Sequence, residues 1–199
     1  MCARSALRAL SLAAGVDHQR RALWRCCETG NVYSLHATKK LRDRAKQPIV
    51  DAADEPTTWL GNWYGTVLFW RPQLALLVNE STLFPVLMPL APAATLLDRI
   101  PDALGETLAR AGVERRFIAS EVAEMDEGQW TKTANRSVIG VMNEFGFLAN
   151  EWRQRRDPDP MEIALWLAET PCGPLYQRHG SPDRELTAAV ASWSAQQQR

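Results

Sequence analysis

The residues with the most chemistry to offer run together at Thr131-Lys132-Thr133-Ala134-Asn135-Arg136-Ser137. An apolar-periodic segment follows at once, so this run sits just before and inside the first turn of an amphipathic helix. A helix start gathers unpaired N–H groups and a partial positive charge. Asn135 or Thr133 can accept from those N–H groups, which is ordinary capping. Lys132 and Arg136 add two cations where the helix dipole disfavours them. A phosphate or carboxylate docking at the helix start explains both the donors and the cations.

The same helix has two unlike faces. At about 100° per residue, Val138, Val141, Met142, Phe145, Leu148, Ala149 and Trp152 fall on one side and make a core face. The other side carries Arg136, Gly140, Asn143 and Phe147. Glycine inside a helix costs about 1 kcal/mol against alanine, so Gly140 points to a close approach. Two readings stand: the C-terminal helices cross there, or Arg136 and Asn143 face a ligand or partner.

Other candidates are weaker. Trp63-Tyr64 can form an aromatic platform for a planar ring or can be sheet core. Asn79-Glu80-Ser81-Thr82 has turn-forming chemistry, and Glu80 can reach the Lys132–Arg136 cluster if the sheet brings them together. One carboxylate is too few for a two-metal site. Cys172, His179 and Asp183 hold the elements of an activated thiol, but proline and glycine around Cys172 suit a tight turn better. The four cysteines and three histidines make no CxxC pair and no zinc spacing. No metal, cofactor or catalytic residue is assigned.

These residues need a scaffold, and the chain is large enough to supply one. Its 199 residues, 46% hydrophobic and 23% charged, are globular values. A formal net charge of zero argues against coating nucleic acid by charge alone, and no run of about 18 apolar residues predicts a membrane span. Free thiols fit a reducing cytoplasm. Residues 1–31 are rich in arginine and cysteine. Arg8 interrupts their short apolar stretch, so they make a poor signal peptide. The expectation is a loosely ordered leader, with one frayed helix over residues 3–14, produced by translation from an upstream start. A single domain over residues 32–199 follows.

Val32 to Ala37 alternates as a first strand, and Thr38 caps a helix from Lys39 to Ala45. Trp63–Trp70, Leu74–Val78 and Leu83–Met88 read as strands with short polar turns between them, hence an antiparallel meander. Beyond Pro92 the period becomes helical. Leu97, Ile100, Leu104, Leu108 and Ala111 form one stripe, with Pro101 breaking or restarting it and Gly112 ending it. Phe117, Ile118, Val122 and Met125 form another stripe. Gln129–Thr133 reads as a later strand, before the long helix from Asn135 to about Trp152. Asp159-Pro160 and Ser181-Pro182-Asp183 start the last two helices. The class is α+β: a small antiparallel sheet, built from the meander, the N-terminal strand and the later one, packed against several helices.

Four stretches occur in an order that resembles a bacterial family, domain of unknown function 6933. They are Leu35-His36-Ala37-Thr38-Lys39-Lys40-Leu41, Leu60-Gly61-Asn62-Trp63-Tyr64, Leu77-Val78-Asn79-Glu80-Ser81-Thr82-Leu83, and Lys132 to Asn143. The resemblance covers roughly Val32 to Trp152, with a tail from Glu169 to Asp183 similar to a subset of the family. It implies a natural start near Val32. Val141 stands where the family usually has serine, and Glu144 where it usually has aspartate. The resemblance implies no activity.

The preferred reading is therefore a cytoplasmic binding or accessory module with an anion-binding helix start. Lys132, Asn135, Arg136, Ser137, Asn143, Glu80, Asn79, Trp63 and Tyr64 are its candidate binding residues. Its partner would be an anionic ligand, a nucleic acid or a protein, and not a membrane. One alternative is a small hydrolase or transferase acting on a phosphate-containing substrate, with Glu80 as base and Lys132 and Arg136 stabilising charge. Another is a protein-interaction module without a small-molecule ligand.

Overall fold

The structure is a computed structural model, and it describes residues 31–51, 54–156 and 158–198. The expectations placed on residues 1–30, including the helix over 3–14, lie outside the described residues. Along the chain run β1 (Val32–Ala37), α1 (Lys39–Ala45), β2 (Trp63–Leu68), β3 (Leu74–Asn79) and β4 (Pro85–Pro89). Then come α2 (Leu96–Arg110), α3 (Arg115–Ala123), β5 (Glu127–Lys132), α4 (Arg136–Arg156), α5 (Pro160–Glu169) and α6 (Pro182–Gln197).

The five strands form one sheet in the order β4-β3-β2-β1-β5. The meander β2-β3-β4 is antiparallel as expected. The sheet as a whole is mixed, which corrects the expectation of a purely antiparallel one. β1 runs parallel to both β2 and β5. The reason is the connection. β1 leaves through α1 and a long excursion before re-entering the sheet, a crossover instead of a hairpin.

Strand alternation sorts the side chains onto two faces. On face A lie Tyr33, Leu35, Trp63, Leu77, Val86 and Trp130, against Leu41 of α1, Ile100 and Leu104 of α2, Phe117 of α3 and Trp193 of α6. On face B lie Tyr64, Leu76, Val78 and Leu87, against Val138, Met142 and Phe145 of α4 and Ile163 and Leu167 of α5. α5 also lies along β4, the edge strand that a helix must shield.

Pro101 does not break its helix; α2 runs through it. Proline has no N–H to give the carbonyl four residues back. That carbonyl, on Leu97, accepts instead from the Tyr33 hydroxyl at 2.6 Å. Gly128 makes the room, because a Cβ there would come within 2.8 Å of the Tyr33 oxygen. Gly112 ends α2 in the left-handed conformation expected of it, at φ +80°, with the Val113 N–H donating back to the Leu108 carbonyl. Asp159 caps α5 through the Met161 N–H. Thr38 and Ser181 do not cap with their side chains. Thr38 donates to the Thr66 hydroxyl and Ser181 to the Asp183 carboxylate. Among the described residues, no helix is long and apolar enough to cross a membrane.

Candidate functional site

Face B is apolar where α4 and α5 cover it and polar beside the start of α4. The parallel pairings produce that polar half. They set His36 level with Tyr64 on one side and with Thr131 on the other. The His36 ring stacks on Tyr64, with centroids 4.7 Å apart and 19° between planes. His36 Nδ1 lies 3.0 Å from the Lys132 carbonyl and 2.9 Å from the Thr131 hydroxyl, which can serve either tautomer.

Glu80 sits at the end of β3 and is the hub of the cluster. Its Oε1 accepts from the Tyr64 hydroxyl at 3.3 Å and from Asn135 Nδ2 at 3.1 Å. Its Oε2 accepts from Asn62 Nδ2 at 3.2 Å. Tyr64 in turn accepts the Asn135 N–H at 3.1 Å. Burial first, and the Glu80 charge after it, hold the Tyr64 phenol above its ordinary pKa. Asn135 caps α4: its Oδ1 accepts from the Ser137 N–H at 3.0 Å and the Val138 N–H at 3.4 Å. The first free donors of α4 are thus served by Asn135, and the positive end of its dipole faces a carboxylate.

Two buried polar atoms beside this network have no hydrogen-bond partner among the described residues, Ser34 Oγ and Asn62 Oδ1. Ser34 is fully buried and lies two residues before His36, hence on the same face. A buried hydroxyl left unpaired costs about 1–3 kcal/mol, so the pair marks unfilled hydrogen-bonding capacity.

The candidate residues are not all brought together. Glu80, Asn135 and Tyr64 meet. Lys132 turns away to Asp51, at 2.9 Å, on an exposed rim. Its hydrogen bond and charge hold the Asp51 carboxyl below the usual range. Arg136 and Ser137 are exposed at the start of α4. Asn143 lies two turns further on, in a separate groove with Lys40 and Trp70.

Two candidates belong to the core instead. Trp63 is fully buried on face A, opposite Tyr64, so the pair cannot form one platform. Asn79 is fully buried and committed to the β3–β4 turn. Its Oδ1 accepts from the N–H and hydroxyl of both Ser81 and Thr82, while its Nδ2 donates to the Leu60 and Asn62 carbonyls.

The helix face carrying Gly140 is open. Nothing lies within 4 Å of a Cβ built there, so the C-terminal helices do not cross at that point. Arg136 and Asn143 are exposed, as is Phe147 at 65%. The thiol constellation does not assemble. Cys172 is buried and donates to the Thr170 carbonyl, and burial pushes its thiol up to about 11. His179 pairs with Glu185 at 2.7 Å. Among the described residues, no cluster of three or more His, Cys, Asp or Glu could hold a metal ion.

Sequence reasoning missed Ser34, Asn62 and the role of His36. The available signal was polar alternation in Ser34-Leu35-His36, where a buried strand would otherwise be apolar throughout. A model of one protein family, described as a domain of unknown function (DUF6933), matches residues 34–185. No curated protein and no solved structure matches the chain.

Proposed function

The chain belongs to the DUF6933 family, and from that premise we propose that it is a cytoplasmic binding module for a small polar ligand of the nucleotide class. The ligand would seat on the polar half of face B. Its N–H groups would meet the Glu80 carboxylate and the partly exposed Asn62 beside it. Its acidic end would lie toward Arg136 and Ser137 at the α4 start.

The observation that carries this reading is a partly exposed carboxylate, Glu80, ringed by Asn62, Tyr64 and Asn135 at the start of α4. The acceptors there ask for a donor-bearing ligand, whereas Arg136, exposed and without an ion pair among the described residues, suits an anion. A nucleotide offers both ends. The buried free thiol of Cys172 supports a reducing compartment. Glu80 holds three donors and Lys132 is paired with Asp51, an arrangement that supports binding over the hydrolase or transferase alternative.

Thermal shift against inorganic phosphate and nucleoside mono- and triphosphates tests the proposal. A ligand at about 100 times its Kd adds about 2.7 kcal/mol, or roughly 5–10 °C at this chain length. At least one nucleotide is expected to raise the wild-type Tm, with the increase reduced in Arg136→Ala and in Asn62→Ala. Equal shifts in all three proteins, or none in the wild type, would remove the reading.

A further inference from the structure

A second surface, apart from the cluster around Glu80, combines rings with positive charge. The turn between β2 and β3 presents Phe69, Trp70 and Arg71. Phe69 is 54% exposed. The Lys40 ammonium lies 5.9 Å and the Arg44 guanidinium 5.4 Å from its centroid. The Arg153 guanidinium lies 4.8 Å from the Trp70 ring. Between this turn and α4 runs a groove of about 310 Å³, lined by Lys40, Thr66, Phe69, Trp70, Asn143 and Asn150 among others, with no carboxylate in its wall.

We propose that this groove binds a short stretch of single-stranded nucleic acid. The exposed Phe69 ring offers a π face on which a base stacks regardless of sequence, and neighbouring cations track the phosphates. Thr66, Asn143 and Asn150 supply neutral hydrogen-bonding groups along the wall, suited to sugar and base edges. Charge complementarity selects this occupant. The whole chain is formally neutral, yet two exposed cations, Lys40 and Arg44, lie over the Phe69 ring. The nearby acid Asp43 is engaged by Lys39 at 2.7 Å. An acidic protein segment would use the cations without needing the rings, and that difference separates the two occupants.

The test is fluorescence anisotropy of a labelled oligothymidylate and oligouridylate, each of about twelve nucleotides, with the full chain over a salt series. Wild type is expected to bind at low salt, weakening as salt rises. Phe69→Ala removes one stacked base and should weaken binding about 5- to 150-fold. Lys40→Ala should lower the salt slope by about 0.7. Both side chains are exposed, so both variants should melt as wild type does. Arg136→Ala should leave oligonucleotide binding unchanged, which keeps this surface distinct from the nucleotide site. No wild-type binding at low salt overturns the proposal. So does binding that Phe69→Ala leaves intact. Displacement by polyglutamate with no effect of Phe69→Ala assigns the groove to an acidic protein segment and also overturns it.

Discussion

Replacing Glu121 with glutamine should change how stability depends on pH. Glu121 lies on α3 and is 1% exposed. Its carboxylate accepts the Trp59 N–H at 2.8 Å and the Leu60 N–H at 3.1 Å, which holds the chain segment leading to Asn62. Burial pushes its pKa from 4.5 up to about 7, against the opposing pull of those two hydrogen bonds. The native state therefore binds this proton more tightly than the unfolded chain does. Between those two values the native state carries more protons, so stability falls as pH rises. The contribution is full below pH 4.5 and gone once the pH is well past 7. At about 1.4 kcal/mol per pH unit, that span amounts to about 3 kcal/mol.

Glu121→Gln has no such titration, while the other titrating groups are common to both proteins. Urea unfolding followed by tryptophan fluorescence, at steps across this pH range, gives the difference between the two. The wild-type advantage should shrink by about 3 kcal/mol from the acid to the alkaline end, or roughly 6–12 °C in Tm. Parallel stability curves for the two proteins would falsify the claim that a buried, high-pKa carboxyl clamps this segment.

Two further substitutions probe the frame around the site. Asn79→Ala strips the β3–β4 turn of an acceptor shared by four donors and of two donated bonds; chemical denaturation should show a loss of about 3–5 kcal/mol, and a loss under about 1 kcal/mol would deny the turn its assigned centre. Gly65→Ala places a Cβ 2.9 Å from Leu41 Cδ2 and 3.0 Å from Leu35 Cδ1, under α1; overpacking there should cost about 1–3 kcal/mol, read as a lowered urea midpoint with unchanged m.

Local signals in the sequence located the elements well. The alternation at Val32–Ala37, the Asp159-Pro160 start and the Gly112 stop all act within a few residues, and each reappears in the structure. What the sequence hides is pairing. The parallel register of β1 with β2 and β5 is set by packing between distant segments, and that register brings His36 to Tyr64 and Thr131. The same limit applies to Lys132. Its neighbours in sequence suggest a cluster with Arg136, but Asp51, far away in the chain, takes it. Pro101 misleads for a related reason: only the fold supplies the Tyr33 hydroxyl that satisfies the Leu97 carbonyl.

The two faces of the sheet impose different requirements, and the contrast bears on the site. On β1, Tyr33, Leu35 and Ala37 fill face A as apolar core. Ser34 on the other face is equally buried, yet it carries a hydroxyl with no partner among the described residues. Packing alone would be met by alanine at that position, without the desolvation cost of about 1–3 kcal/mol that an unpaired hydroxyl carries. Asn62 repeats the pattern, donating to Glu80 through Nδ2 while its Oδ1 stays unpaired. Local rules of core composition thus fail twice within one cluster, next to a stacked His36–Tyr64 pair and a carboxylate held by three donors. Arg42 Nε, Trp63 Nε1 and Arg99 Nε also lack a partner among the described residues, but they are donors, and the two unpaired acceptors fall in this one cluster. On the function proposed above, the requirement that competes with stability there is a ligand bound beside Glu80.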